Sequence, residues 1–446
     1  MQLNRRLDLG DAYLLIIGNV IGAGIFTTSG FLARELPHPW MFLGIWVLGG
    51  LLTICGALTY AELAGMYPKA GGDYHYLKAA YGPWAGFLLG WVLFWVINPG
   101  SIAALAIGLV SYLKIFLPFL READKQFMAM AFILLFSLIN YRGIRLSGTT
   151  QNVFTLGTIL TLLVLIVAGF VAGGGDWRHL SAAGAVQPDP GRLFATPMIA
   201  VIFTYSGWFA SAYMGSEIQN PQRNLPLSLI LGTLSVTLIY TLINLVYLLA
   251  LPMAELNNVV NVAQAAMVRL YGSGIAGLVS IPIVLAIAAG INATIMTGAR
   301  VSFAMGEDGV FWSCLKEVHT LYRTPACAVL IQAVLACLLV LLGTFDQLLS
   351  YVVFVMVLSS IASGVALFVL RRRQPHAPRP YRTWGYPLVP LVFVTAYLCI
   401  LVQIGWTNPG LSLLGILITL AGLPFYLWRR RKVYLDNKVG MVADCD

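Results

Sequence analysis

Charge is what this sequence has least of. Of 446 residues only 10% are Asp, Glu, Lys or Arg, against 59% hydrophobic, and the mean hydropathy is +0.83. A soluble domain carries about 25% charged residues, so an ordinary water-facing surface is excluded. Cysteine usage excludes a second group of classes. Cys55, Cys314, Cys327, Cys337, Cys399 and Cys445 show no CxxC spacing, so neither a metal centre nor a disulfide framework is expected. The histidines, His38, His75, His179, His319 and His376, fall in expected loops or at helix ends, which argues against a histidine proton relay inside a membrane. No HExxH, GxSxG or carboxylate cluster points to an enzyme, and no filter sequence or charged ring points to a channel. No cofactor and no nucleic-acid partner is expected. Residues 1–11 are short and polar, and no cleavage pattern follows them, so no signal peptide is expected.

What the chain does have is long apolar runs, which read as an all-α polytopic membrane protein. Twelve spans are expected, at about residues 12–33, 39–66, 83–117, 126–141, 149–172, 194–216, 226–251, 273–300, 324–343, 346–370, 386–404 and 411–428. With the N-terminus inside, 20 of the 27 Lys and Arg residues fall on the inner side, which places both termini in the cytoplasm of a multi-pass cell-membrane protein. The same bias accounts for the net charge of +9. The division that follows is a cytoplasmic N-terminus (1–11), a first five-helix unit (12–172), an outer loop (173–193), a second five-helix unit (194–370), an inner loop (371–385), two further helices (386–428) and a cytoplasmic tail (429–446). Three amphipathic segments, 74–81, 257–271 and 307–321, read as lying at the membrane surface.

Two spans are poor helices at the depth where a helix should be most regular. The first contains Gly18-Asn19-Val20-Ile21-Gly22-Ala23-Gly24-Ile25-Phe26, where each glycine costs roughly 1 kcal/mol relative to Ala. The second contains Phe203-Thr204-Tyr205-Ser206-Gly207-Trp208. Taken singly, each would be ordinary close packing of small residues between membrane helices. Their placement changes the reading: each lies in the first helix of a five-helix unit, and paired interruptions in corresponding halves point to a transporter site at the midplane.

These residues carry a family resemblance. The Gly18–Phe26 run resembles the first-helix motif of the amino acid/polyamine/organocation transporters. Ala61-Glu62-Leu63 with Tyr67-Pro68-Lys69-Ala70-Gly71-Gly72-Asp73-Tyr74-His75-Tyr76-Leu77 resembles their loop after the second helix, and Phe203–Trp208 their sixth-helix break. Glu217 with Asn220-Pro221-Gln222-Arg223-Asn224-Leu225-Pro226, the stretch 300–309, and Pro380-Tyr381-Arg382 with Gly385-Tyr386-Pro387 match in order. The resemblance covers about residues 8–430 and lies nearest the L-type amino acid transporter branch and its bacterial relatives.

It implies a leucine-transporter-like fold of two inverted five-helix repeats plus two extra helices, and secondary transport of neutral L-amino acids by exchange. The substrate α-carboxylate would meet the amides near Gly22, Ala23 and Gly24, at the positive end of a half-helix. The α-ammonium would meet unpaired carbonyls at Asn19, Val20, Phe203 and Ser206. The implied binding set is Asn19, Val20, Ile21, Gly22, Ala23, Gly24, Phe203, Thr204, Ser206 and Gly207, with Phe203 also an outer lid. Glu62, Glu217 and Arg300 lie near cytoplasmic helix ends, as an inner gate or as plain topology anchors.

Two departures qualify the resemblance. Many L-type relatives carry a lysine in the fifth helix where this chain has Thr158, whose hydroxyl could ligate sodium but cannot carry charge. Proton- or sodium-coupled symport therefore stays open beside exchange. Animal relatives join a glycoprotein through a cysteine between helices three and four, but residues 118–125 contain none, so only the amino acid substrate and membrane lipid are expected as partners. A cationic amino acid or polyamine carrier would want an acid in the pocket, and the mid-spans of helices one, three, six, eight and ten offer none.

Overall fold

The computed structural model describes residues 3–114, 116, 121, 124–171, 175–181, 195–257, 259–342 and 345–431. Most of the expected outer loop, most of the C-terminal tail with Cys445, and most of the cysteine-free stretch 118–125 lie outside the described residues.

The chain enters its first helix through a reciprocal cap. The Asp8 carboxylate accepts from the Asp11 amide and the Asp11 carboxylate from the Asp8 amide, both at 2.9 Å, which satisfies two otherwise orphaned donors. Helix α1 (Leu9–Val20) is followed after three residues by α2 (Gly24–Glu35), and the two axes are bent by 41°. Then come α3 (Pro39–Met66), the surface helix α4 (Asp73–Tyr81), α5 (Pro83–Leu113), α6 (Lys125–Tyr141) and α7 (Ile144–Val171). The second half holds α8 (Ala195–Thr204), α9 (Pro221–Ala250), the short α10 (Val262–Tyr271), α11 (Ala276–Glu307), α12 (Ala326–Leu342) and α13 (Phe345–Arg373). Helices α14 (Leu388–Thr407) and α15 (Pro409–Leu420) close the chain. Prolines open α3, α5 and α9 at the first turn, where a missing N–H costs nothing. Pro99 sits inside α5 instead, and the ladder before it widens into a π-turn over Leu93–Ile97.

Among the described residues eight helices are long and apolar enough to cross a membrane, and the bent pair α1–α2 would make nine. Helices α6 and α12 are apolar but shorter, at 17 residues each. The outer faces agree with a bilayer: Leu156, Leu160, Val164 and Val167 form an exposed stripe on α7, as do Leu231, Leu234 and Leu238 on α9. Gly49 and Gly50 let α3 press against α8 and α9; a Cβ at these positions would lie 2.4 Å from Val201 and 2.2 Å from Thr237. The most apolar stretch of α11 is 72% buried, whereas those of the last two spans are 28% and 22% buried. That contrast puts α11 at the centre and the last two helices at the rim.

Two expectations need adjustment. The sixth span, expected over 194–216, is helical only to Thr204 and then runs through turns and a single 3-10 turn, Ala210–Tyr213. The stretch 307–321 forms no surface helix, only the 3-10 turn Ser313–Lys316. The surface segments 74–81 and 257–271 do form helices, as α4 and α10.

Candidate functional site

The two interruptions meet. At the first, Ile21 leaves the helix with ψ 93°, and α2 starts at Gly24 with Ala23 as its cap residue. No side chain caps α2, so its leading amides and the positive end of its dipole are available to a ligand. At the second, Gly207 turns the chain with φ +94°, a conformation open to glycine. A Cβ there would stand 2.5 Å from the Asn19 Nδ2, and in its absence that Nδ2 donates to the Gly207 carbonyl at 3.1 Å. Thr28 and Thr204 hydroxyls pair at 2.9 Å. From α9, the Tyr240 hydroxyl reaches the Val20 carbonyl at 2.9 Å and the Thr204 carbonyl at 3.3 Å, holding both broken ends with one group.

Around this junction lies a cavity of about 340 Å³, within the range of small-molecule sites. Nine of the ten residues in the expected binding set line it: Asn19, Val20, Gly22, Ala23, Gly24, Phe203, Thr204, Ser206 and Gly207. Ile21 does not; its side chain is fully buried in the apolar core. Two of the four carbonyls expected to be unpaired are already engaged, Val20 by the Tyr240 hydroxyl and Phe203 by the Ser206 amide at 3.0 Å. The expectation of unpaired carbonyls is thus corrected at Val20 and Phe203. Most of the remaining wall comes from α5, α11 and α13 through small, apolar or hydroxyl side chains such as Ser101, Thr297 and Ser360, with Asp73 of α4 and Tyr213 beyond the second break also lining it. Among the described residues no Lys or Arg lines it.

Thr158 is buried on α7 but not in the cavity wall, and its hydroxyl donates to the Phe154 carbonyl of its own helix at 2.9 Å. The three expected gate residues divide into two clusters. Glu217 and Arg300 form a two-point pair at 2.7 and 2.8 Å, with side chains 0% and 1% exposed, and Arg300 also donates to the Met296 carbonyl. Glu62 pairs separately with Arg371 at 2.6 Å and Arg379 at 3.0 Å and accepts from the Thr383 amide at 2.7 Å. A third latch joins the Tyr74 hydroxyl and Lys78 to Asp308. Main chain completes this end of the molecule: Arg6 and Leu7 amides donate to the Glu217 carbonyl, and Leu7 bridges Ile218. The segment after the second break is thereby tied to the residues that lead into α1.

Tyr240 and Asp73 are absent from the expected set. Tyr240 carried no sequence signal, since a tyrosine in an apolar span reads as core. Asp73 stood in the sequence only within the motif after the second helix, yet it lines the cavity and is only 3% exposed. Its Oδ2 accepts from the Tyr60 and Tyr213 hydroxyls, each at 3.2 Å, while Oδ1 has no partner. Burial pushes its carboxyl up to about 7, with the two tyrosine hydroxyls opposing the shift. Burial pushes His75 the other way, down to about 4, against the pull of the bond between its Nε2 and the Ala70 carbonyl.

Comparison with known proteins bears directly on this geometry. The sequence model of a family described as amino acid permease matches residues 7–423. The serine/threonine exchanger SteT of Bacillus subtilis is 32% identical over 96% of this chain and 98% of its own length. The human large neutral amino acids transporter small subunit 2 is 30% identical over 100% of the chain and 83% of its own length. The mouse Asc-type amino acid transporter 1 is 31% identical over 97% and 83%.

Proposed function

The chain belongs to the amino acid permease family, and on that premise we propose that it exchanges neutral L-amino acids across the cell membrane by alternating access. The observation that carries this reading is the junction of two helix breaks on a wall free of Lys and Arg. The uncapped start of α2 offers the substrate carboxylate amides in a place where no side chain competes. The carbonyls of the two breaks offer the ammonium its acceptors, Asn19 and Val20 from the first and Phe203 and Ser206 from the second. A zwitterion is then neutralised by backbone alone, without a charged side chain at a depth where one costs at least ~2.5–3.5 kcal/mol. Gly22, Ala23 and Ser206 are small and leave room for the substrate side chain; Phe203 is the outer lid.

The architecture that goes with this reading has twelve spans. The pairs α1–α2 and α8 with its following turn count as one broken span each, and two inverted five-helix repeats are followed by α14 and α15. The Lys and Arg bias sets both termini inside. Glu217–Arg300, Glu62–Arg371 and Lys78–Asp308 then form a closed cytoplasmic gate, so the cavity faces outward. The names of the three relatives, a large neutral amino acids transporter, an Asc-type amino acid transporter and a serine/threonine exchanger, support this reading. No covalently linked glycoprotein partner is expected, because residues 118–125 supply no cysteine. Sodium coupling through Thr158 has little support, since that hydroxyl lies outside the cavity wall.

The test is counterflow. Purified protein in liposomes loaded with unlabelled serine, threonine or leucine should take up the labelled amino acid faster than empty liposomes do. Equal uptake into empty and loaded vesicles would overturn exchange.

A further inference from the structure

Among the described residues, Asp73 is the only acid or base in the cavity wall apart from the Tyr213 phenol, and neither break uses it. It opens α4, outside the spanning helices, where four elements converge. Tyr60 of α3 and Tyr213 beyond the second break donate to one of its oxygens, and Ser363 of α13 stands close by. Tyr76 of its own helix, fully buried, is the remaining titratable neighbour. Among the described residues no Lys, Arg or His pairs with it. The nearby charges are satisfied elsewhere: Arg300 by Glu217, and Lys78 by Asp308. His75 is turned to the Ala70 carbonyl. A carboxylate nine-tenths buried at a cavity wall, lacking a counterion and with one buried oxygen unpartnered, resolves its desolvation cost by taking a proton.

We propose that Asp73 is a proton-binding site of the transport cycle, loaded from the outward-facing cavity and emptied to the cytoplasm, so that amino acid exchange is linked to a proton. This rests on the exchange reading and on its orientation. The transfer is one proton, from cavity water to Oδ1, with no electron moved. The two tyrosines hold Oδ2 and leave Oδ1, buried and without a partner, as the oxygen that takes the proton. Tyr213 follows the second break, on the segment tied to Glu217 and to the residues before α1. Parting that segment from α4 would admit water to the carboxyl from the other side. Burial is the largest cause of its raised affinity for the proton, so hydration returns it toward an ordinary carboxyl and releases the proton inward. The site thus holds a proton when the cytoplasmic gate is closed and loses it when the gate opens.

The test uses the full-length protein in liposomes and two readouts. The first is an infrared titration of the purified protein in the absence of substrate. A protonated carboxyl band should titrate near 7 in the wild type and be missing in Asp73→Asn. In Tyr213→Phe the midpoint should move upward, because a donor to the charged form is lost. The second is the ratio of uptake with an inward proton gradient to uptake at equal pH, in vesicles loaded with the same amino acid. For the wild type this ratio should grow with the gradient, by up to about tenfold per pH unit on the alkaline limb, the limit for one proton. For Asp73→Asn it should fall to one. A gradient response unchanged in Asp73→Asn, or a band midpoint unmoved by Tyr213→Phe, would overturn the proposal. A changed preference for cationic substrates in Asp73→Asn with the gradient response intact would overturn it too, in favour of a direct substrate contact. If counterflow is absent in every variant, exchange fails while the infrared titration still decides the proton site. Should Asp73→Asn not fold, the Tyr213→Phe midpoint decides alone.

Discussion

Gly207 and Gly22 are glycines for opposite reasons, and the difference can be measured. Gly207 holds φ +94° against the Asn19 side chain, so an alanine there meets both backbone strain, about 1–2 kcal/mol for a left-handed residue, and a contact at 2.5 Å. At Gly22 an added Cβ meets nothing within 4 Å, because the position faces the cavity. We expect Gly207→Ala to lower the unfolding midpoint in detergent by several degrees and to abolish substrate-induced stabilisation. Gly22→Ala should keep the wild-type midpoint but bind bulky amino acids less well than small ones. A thermal-unfolding series with and without ligands checks both, and the reverse order of midpoints would refute this account. Both glycines stood out in the sequence, because glycine in mid-span is costly. Their separate roles did not, since backbone φ and the direction of an absent Cβ exist only once the two breaks face each other. Asp73 shows the same limit from the other side. An acid at the first turn of a surface helix is ordinary dipole complementation, and only the convergence of Tyr60 and Tyr213 on it makes it a cavity group.

Among the elements, the segment from Tyr205 to Asn220 carries the most structure with the least regularity. It lacks an α-helix, yet it bonds to the residues before α1 through Glu217 and Gln219 and to the α3–α4 loop through Tyr213. Helix-length apolar runs were readable because a bilayer demands them. The break itself was readable at Phe203–Trp208, but apolar composition hid how far the non-α-helical run continues beyond it, since the span was expected to reach 216. Its anchor is the Glu217–Arg300 pair. Removing one partner leaves the other charge buried and bare, at a cost of about 3–5 kcal/mol, whereas removing both can be nearly neutral. We therefore expect Arg300→Met to destabilise the protein strongly and the Glu217→Gln/Arg300→Met double variant to recover much of the loss. Unfolding free energies from a double-mutant cycle test this, and additive losses would show that the two residues do not act as a pair.

At the scale of the whole molecule, α4 brings two oppositely perturbed groups into one helix, and their effects on stability oppose each other. His75 binds its proton at about 4 when folded and near 6.5 when unfolded. Between those values the unfolded chain holds the extra proton, so this group makes stability rise with pH. Its contribution is complete above 6.5 and is lost as the pH falls through 4. Asp73 binds its proton at about 7 when folded and near 3.8 when unfolded. Between those values the folded chain holds the extra proton, so stability falls with rising pH; its contribution is complete below 3.8 and is lost through 7. From 4 to 6.5 the two slopes cancel, and unfolding passes a proton from Asp73 to His75 without net exchange with water. The comparison of variants isolates this from every other titrating group. Relative to the wild type, Asp73→Asn should add a rising slope of up to about 1.4 kcal/mol per pH unit in that window, and His75→Gln a falling slope of the same size. Unfolding free energies measured in detergent across the window would show three lines fanning from a common acid limit for the Asp73 variant and from a common neutral limit for the His75 variant. Parallel lines would mean that neither group sits in the desolvated surroundings that the structure gives it. The cancellation has a functional side: a cavity acid tuned to neutral pH would by itself make the protein less stable as the pH rises, and the partly buried histidine two residues away offsets that slope through the acid range.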